Sequence, residues 1–98
     1  MKKITYNFKD RTAVITGGAQ GFGLDIAKRF LDSGANVIIW DMDAEMTDKA
    51  VKDLNNPNLS SNKIDVSNFK EVQECTNEIL KKTNIDILIN NAGITGPT

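Results

Sequence analysis

Residues 16–23 read Thr-Gly-Gly-Ala-Gln-Gly-Phe-Gly, and this glycine segment lies between a short β-branched run and a helical pattern. The run Ala13–Thr16 is typical of a buried strand, and apolar residues recur at helical spacing from Gly21 to about Ser33. Glycines at a strand-to-helix turn let main-chain N–H groups approach a phosphate closely, and the helix dipole favours the same anion. The segment therefore predicts a phosphate-binding turn, with a purely structural turn as the alternative.

Strand and helix patterns continue to alternate along the rest of the chain. Strand patterns occupy Val37–Trp40, a weaker Leu59–Ile64 and Asp86–Asn90, and helix patterns follow Asp43 and Ser67, which are suitable N-caps. Apart from the weaker third pattern, the strands carry continuous apolar runs rather than alternation, as in strands that helices cover on both faces. The order βαβαβαβ with right-handed crossovers predicts an α/β fold with a Rossmann-type, doubly wound parallel sheet.

Three details of the helices are also predicted. Gly34 suits the left-handed position that ends a helix. The third helix is expected to turn one apolar face inward, formed by Phe69, Val72, Thr76, Ile79 and Leu80. Cys75 on the same helix is expected to be an inert, partly buried thiol.

The composition fits one small domain and narrows its partners. The 98 residues are 40% hydrophobic, and 12 Lys and Arg against 13 Asp and Glu leave a net charge of −1. A charge this near zero offers no basic surface for nucleic acid, and the apolar runs are far shorter than the roughly 20 residues that cross a bilayer. One cysteine excludes an internal disulfide, and the absence of histidine excludes Ser-His-Asp and Cys-His catalysis within this chain. We expect a cytoplasmic chain without nucleic-acid or membrane partners.

Asp41 stands at the end of the second strand pattern, 18 residues after Gly23. A carboxylate there can accept hydrogen bonds from both ribose hydroxyls of an adenosine and would repel a 2′-phosphate. Neither Lys nor Arg stands at Gln20, Met42 or Asp43, where a positive charge would compensate. These residues favour NAD over NADP as the cofactor, with capping of the next helix as the alternative role for Asp41.

Two further polar segments follow strand patterns. They are Asp65-Val66 and Asn90–Gly93. Ligands of open α/β sheets bind beyond the carboxyl ends of the strands, so both segments are expected beside the glycine segment. Asp65 can accept the adenine amino group and Val66 can pack on its ring, with helix capping as the alternative for Asp65. The acids of Asp41–Glu45 lack the glycine and the closing acid of a calcium loop, so we predict no metal site.

With these four segments in this order, the chain resembles the classical short-chain dehydrogenase/reductase family. The match rests on Thr-Gly-x-x-x-Gly-x-Gly, the acid after the second strand, Asp-Val and Asn-Asn-Ala-Gly, and it covers nearly the whole chain. In the family the last motif steadies the centre of the sheet and lies beside the cofactor ribose. The resemblance implies cofactor contacts at Gly17, Gln20, Gly21, Phe22, Gly23, Asp41, Met42, Asp65, Val66, Asn91, Ala92 and Gly93.

The resemblance also implies a catalytic set that this chain lacks. Family members use a Tyr with a Lys four residues later, a Ser and an Asn, all placed tens of residues beyond Asn-Asn-Ala-Gly. This chain ends five residues after Gly93, has its only Tyr at Tyr6 and contains no Tyr-x-x-x-Lys. A phenol, whose ordinary pKa is about 10, needs that cation to act near neutrality. We expect residues 1–98 to form a single NAD-binding domain, truncated before the catalytic segment and inactive alone.

For an intact member, the resemblance implies reversible oxidation of a secondary alcohol to a ketone with NAD(H). The run Gly93–Pro97 is similar to that of members known as 3-oxoacyl-carrier-protein reductases or as sugar and hydroxy-acid dehydrogenases, although Asp41 departs from the NADPH preference usual among carrier-protein reductases. The alternatives are a non-catalytic nucleotide-binding module and an interaction-only remnant that binds no cofactor. The fourth strand is expected at an edge, where unpaired main-chain groups of Ile87 and Ile89 predict self-association.

Overall fold

The computed structural model describes residues 7–91. In chain order its elements are β1 (Thr12–Thr16), α1 (Gly21–Asp32), β2 (Asn36–Asp41), α2 (Ala44–Leu54), β3 (Leu59–Lys63), α3 (Phe69–Leu80) and β4 (Ile87–Asn90). All strand pairs are parallel, and the sheet order is β3-β2-β1-β4. This architecture confirms the predicted α/β fold with a Rossmann-type parallel sheet.

The larger apolar core lies between the sheet and the helices α1 and α2. Ile15, Val37 and Ile39 of the sheet are fully buried there, together with Ala27 of α1. Every residue of β1 is buried because strands flank it on both edges and helices cover both of its faces. The strand that precedes the glycine segment is therefore the best-anchored strand of the fold.

Local signals begin and end the helices largely as predicted. After α1, Gly34 has a φ of 92° and its N–H donates to the carbonyl of Leu31. Asp43 caps α2 by accepting a hydrogen bond from the Met46 N–H at 3.0 Å. With 11 or 12 residues each, none of the helices within residues 7–91 is long and apolar enough to cross a bilayer.

The predicted cap of α3 is wrong. Asn68 is the N-cap, and its Oδ1 accepts a hydrogen bond from the Glu71 N–H at 3.2 Å. Ser67 instead directs both its N–H and its hydroxyl to Asp65. The side chain of Ser67 is bound to the Asp65 carboxylate in a tight turn and therefore cannot cap the helix. As a result, the helix begins one residue later than it would with Ser67 as its cap.

The predicted inward face of α3 is also partly wrong. Phe69 is 76% exposed and Leu80 is 50% exposed, whereas Val72, Cys75 and Ile79 pack on the second, smaller core. Val72, Cys75 and Ile79 are spaced three and four residues apart, so they form one narrow line of contact along the helix. Leu80 is turned by about 100° from Ile79 around the helix axis, and Phe69 occupies the first position of the helix.

β4 forms an open edge of the sheet, but its outward main-chain groups are not those predicted. Arg11 and Gly17, which flank β1, both form main-chain hydrogen bonds with β2. Successive residues of a strand direct their main-chain groups to opposite sides, so the odd-numbered residues here face β2 and Val14 faces β4. Because Val14 lies opposite Leu88, the ladder joins Val14 to Ile87 and Ile89, and the Ile89 carbonyl oxygen also lies 3.4 Å from Thr16 Oγ1. The groups that point away from the sheet therefore belong to Leu88, whose side chain is 62% exposed.

Candidate functional site

The carboxyl ends of the four strands meet at one edge of the sheet, and the predicted site residues follow them. The glycine segment comes after β1, Asp41 ends β2, Asp65 comes after β3 and Asn91 comes after β4. Since the strand order is β3-β2-β1-β4, these groups form a continuous row along the edge. Such an edge is where open α/β sheets bind their ligands.

Asn91 holds the glycine segment against the end of β4. It is buried, and its Nδ2 donates a hydrogen bond to the Gly17 carbonyl at 3.1 Å. Gly23, in the first turn of α1, packs closely against these two groups. A Cβ at this position would clash with the Gly17 carbonyl and lie 2.7 Å from Asn91 Nδ2. Only glycine fits at that position. Ala92 and Gly93 lie outside the described residues, so their cofactor contacts stay predictions.

The N-terminus of α1 differs from those of the other two helices. Asp43 and Asn68 cap α2 and α3 with their side chains, whereas the Gln20 side chain makes no cap bond, and the first turn of α1 contains no acid. The main-chain N–H groups of this turn therefore lie at the carboxyl edge without a side-chain acceptor from residues 7–91. Together with Gly21 and Phe22, they form a cradle that suits a phosphate.

The Asp41 carboxylate is fixed by main-chain groups from two loops. The Ala19 N–H donates to its Oδ2 at 3.3 Å, and the Asp43 N–H donates to its Oδ1 at 3.0 Å. Asp43 rather than Asp41 caps α2, so the alternative role of Asp41 as the helix cap is wrong. Each carboxylate oxygen keeps a further lone pair, which is what two neighbouring ribose hydroxyls require.

Asp65 is oriented by Ser67. The Ser67 hydroxyl and N–H donate to Asp65 Oδ1 at 2.6 and 2.9 Å. These bonds, the hydroxyl first and the N–H second, lower the pKa of Asp65, and burial opposes them weakly. Asp65 Oδ2 has no hydrogen-bond partner within residues 7–91, and Asn68 has taken the capping role. Asp65 therefore offers a free oxygen to an external donor.

Exposed apolar side chains accompany these acids. Phe22 follows β1, Met42 follows β2 and Val66 follows β3, and all three are exposed. Large apolar side chains beside convergent polar groups are typical of sites for flat organic ligands. The edge thus combines an anion cradle, two carboxylates and an apolar rim.

The sequence alone assigned no contact to three residues beside this site, although two of them stand in the quoted motifs. Thr16 Oγ1 donates to Asn90 Oδ1 at 3.1 Å and ties the ends of β1 and β4 together. Lys63 lies opposite Asp41 in the register of β3 and β2. The sequence signal for Lys63 was its place at the end of a strand pattern, but its neighbour depended on a strand register that local sequence does not specify.

The fold and this row of residues are those of a Rossmann-type α/β protein. The chain belongs to the short chain dehydrogenase family, whose family model matches residues 11–98. That match confirms the resemblance drawn from the four sequence segments.

Individual relatives agree with this assignment. The chain is 41% identical over 88 residues to the 3-oxoacyl-[acyl-carrier-protein] reductase FabG of Chlamydia pneumoniae, covering 87% of this chain and 36% of that protein. The 2-keto-3-deoxy-D-gluconate dehydrogenase structure from Streptococcus agalactiae matches with a TM-score of 0.82 and 32% identity, over 96% of this chain and 36% of that one. An active-site complex of Pseudomonas aeruginosa RhlG with NADP matches with a TM-score of 0.78 and 28% identity, over 88% and 36%. The chain therefore spans about a third of the length of these relatives.

Proposed function

We propose that this chain binds NAD and forms the nucleotide-binding part of an oxidoreductase that transfers hydride between NAD(H) and a secondary alcohol or ketone. The observation that carries the proposal is the Asp41 carboxylate, which two main-chain N–H groups fix beside the glycine segment. Family membership supports a nicotinamide cofactor, and the charge of Asp41 supports NAD.

Each part of the carboxyl edge has a role in this proposal. The nicotinamide ring, when NAD is bound, supplies the carbon that accepts or donates the hydride. The protein groups bind and orient the remainder of the molecule. The pyrophosphate would lie on Gly17–Gly23 and the N-terminus of α1, the adenosine ribose on Asp41, the adenine on Met42, Asp65 and Val66, and the second ribose beside Asn91–Gly93.

The preference for NAD over NADP rests on electrostatics. A 2′-phosphate would bring negative charge to the Asp41 carboxylate, and the residues directly after it, Met42 and Asp43, supply no cation. The related RhlG structure is a complex with NADP, so family membership alone does not select NAD. We expect Asp41→Arg to shift the preference toward NADP, and unchanged affinities for both nucleotides would contradict the role of Asp41 at the ribose.

The substrate of the whole protein is proposed at the level of chemical class. The relatives include a 3-oxoacyl-[acyl-carrier-protein] reductase and a 2-keto-3-deoxy-D-gluconate dehydrogenase, and both names describe a reduction or dehydrogenation of a compound with a keto group. We propose a 3-oxoacyl, sugar or hydroxy-acid substrate and a cytoplasmic site of action. This chain contains no Tyr-x-x-x-Lys, so we expect the 98 residues alone to bind nucleotide without transferring hydride.

Titration of the chain with NAD, followed by NMR, tests the central proposal. We expect saturable shifts in the glycine segment, and Asp41→Ala should weaken binding by about tenfold or more, because two charge-assisted hydrogen bonds are lost. Asp53→Ala, an exposed acid near the C-terminus of α2, is the matched control and should leave binding unchanged. Absence of binding at millimolar NAD would contradict the proposal and favour an interaction-only chain.

Self-association through β4 is a second proposal about partners. The outward main-chain groups of Leu88 and its exposed side chain form an edge that no strand of residues 7–91 pairs with, on a strand without charged residues. We expect dimers in sedimentation velocity at micromolar concentrations and their loss in Leu88→Lys. A strict monomer across that range would contradict pairing through this edge.

A further inference from the structure

Lys63 and Asp41 lie next to each other on neighbouring strands. They are partners in the parallel register of β3 and β2, where strands lie about 4.8 Å apart. Side chains alternate between the faces of a strand, and Leu59 and Ile39, which share the faces of Lys63 and Asp41, both pack in the core under α1 and α2. The side chains of Lys63 and Asp41 therefore project on the same side of the sheet, at the same edge.

The charge of Lys63 is not committed elsewhere. The ion pairs within residues 7–91 are Arg11 with Asp86 and Lys81 with Glu78. Lys63 is exposed, and its ammonium forms none of the hydrogen bonds in the described part of the chain. The Asp41 carboxylate is held by N–H groups, and no cation of residues 7–91 pairs with it. A mobile ammonium on a flexible four-carbon stem is thus free to reach a second anion beside Asp41.

We propose that Lys63 is a second determinant of nucleotide choice, acting on the 2′ position of the adenosine ribose against Asp41. This inference rests on the proposed nucleotide binding. Asp41 accepts the ribose hydroxyls of NAD and repels a 2′-phosphate, whereas Lys63 attracts that phosphate and offsets part of the repulsion. The chain consequently discriminates against NADP less strongly than Asp41 alone would require.

The contribution of Lys63 is a difference between two affinities. NAD carries no charge at the 2′ position, so removal of the ammonium changes its binding little. NADP carries a phosphate there, which an ammonium would attract. Salt weakens the attraction between two exposed charges, and the screening length is about 10 Å at 0.1 M. The effect must therefore be specific for NADP and must shrink as salt is added, neither of which a purely structural role of Lys63 would produce.

The test measures NAD⁺ and NADP⁺ dissociation constants by NMR titration of the 98-residue chain and its variants. In Lys63→Met we expect NADP⁺ binding to weaken about threefold to tenfold, with NAD⁺ binding within about twofold of the unmodified chain. Lys63→Arg should retain most of the NADP⁺ affinity, because it keeps the charge. Lys52→Met is the matched control and should change neither dissociation constant. Lys52 lies in the last turn of α2, at the opposite end of that helix from Asp41. Raising salt from about 0.05 to 0.5 M should reduce the difference between the chain and Lys63→Met.

The outcomes separate this inference from the function on which it rests. If the unmodified chain binds NAD⁺ but Lys63→Met weakens both nucleotides equally, or neither, the inference about Lys63 is wrong and nucleotide binding stands. If the unmodified chain binds neither nucleotide, nucleotide binding and the role of Lys63 are both wrong. A selective loss of NADP⁺ binding that salt does not reduce would also contradict the electrostatic role.

Discussion

The two faces of the sheet are packed very differently. On one face, α1 buries Gly23, Ala27 and Leu31, and α2 buries Thr47 and Ala50. On the other face, α3 has no fully buried residue and contacts the sheet through half-buried side chains. The glycine segment belongs to the well-packed face, so the part of the chain that would hold a pyrophosphate is also the part that the core holds most firmly.

Side-chain size explains much of this difference. The buried contacts of α1 include Gly23 and Ala27, which let the helix approach the sheet closely. α3 meets the sheet through Val72, Cys75 and Ile79, and grooves of about 310 and 340 Å³ open between this helix and β3. A layer with such gaps gains less from dispersion and burial than a close-packed layer.

Matched truncations on the two faces should give the largest effect. Ile39 is fully buried under α1 and α2, and Ile79 is half-buried on α3. We expect Ile39→Ala to reduce the free energy of unfolding by about 3–4 kcal/mol and Ile79→Ala by about 1 kcal/mol, because only the first change leaves an enclosed cavity. Urea unfolding measures both values.

A second pair of variants guards against loss of the folded state in Ile39→Ala. Ile39→Val and Ile79→Val each remove a single methylene group. We again expect the larger loss of unfolding free energy at Ile39. Equal losses on the two faces would show that α3 is packed as tightly as α1, and the contrast between the faces would then be wrong.

Glycine replacements test the contact between α1 and the glycine segment. Gly23→Ala should cost about 2–3 kcal/mol and disrupt nucleotide binding, because its Cβ would clash with the Gly17 carbonyl and with Asn91. Gly21→Ala is the control, since Gly21 has a φ of 59° but an added Cβ would meet no atom of residues 7–91 within 4 Å beyond its chain neighbours and its own helix backbone. Its cost should be about 1 kcal/mol, from the left-handed backbone alone. Equal costs would mean that close approach at Gly23 is unimportant.

The loosely packed face should still protect its thiol. Burial raises the pKa of Cys75, the Trp40 indole N–H opposes the rise and the Glu78 charge adds to it. That N–H lies beside the thiol without reaching hydrogen-bonding geometry, and it has no other acceptor within residues 7–91. We expect alkylation by iodoacetamide at pH 7 to be about tenfold slower than for free cysteine, with a midpoint above the ordinary thiol pKa.

The raised pKa of Cys75 also makes the stability of the chain depend on pH. Because the folded chain disfavours the thiolate, stability should fall as pH rises from the ordinary thiol pKa toward the raised value. Glu78→Gln should lower the alkylation midpoint, and urea should restore the full rate. A midpoint at or below that of free cysteine in the folded chain would contradict the burial of Cys75.

The smallest effect is expected at the exposed start of α3. Ser67→Ala should move the Asp65 titration upward toward the ordinary value of about 3.9, because the hydroxyl bond is lost, and carboxyl ¹³C NMR measures the change. Asp65 has a lowered pKa in the folded chain, so its contribution to stability is present above the ordinary value and disappears as pH falls through the lowered one. Ser33→Ala is the control, and an unchanged Asp65 titration in Ser67→Ala would contradict the hydroxyl contact.

Local patterns predicted well where neighbours in sequence decide the structure. The Asp43 cap and the left-handed Gly34 each depend on hydrogen bonds within a few residues. The glycine turn is recognisable from its residue types, although its own hydrogen bonds reach Trp40, Asp41 and Asn91. Prediction failed at Ser67 and at Phe69, because competition from a nearby carboxylate and the limited reach of a helix over a sheet edge are not visible in periodicity.

The sequence by itself determined the order of strands and helices, the family and the residue types at each strand end, because hydrophobic period and turn chemistry are local properties. Tertiary structure alone decided which of those ends are neighbours. The strand register places Lys63 beside Asp41, the close approach of α1 brings Gly23 against Asn91, and the β1–β4 ladder leaves Leu88 at the open edge. Register and approach follow from packing across the sheet, which joins residues far apart in the chain.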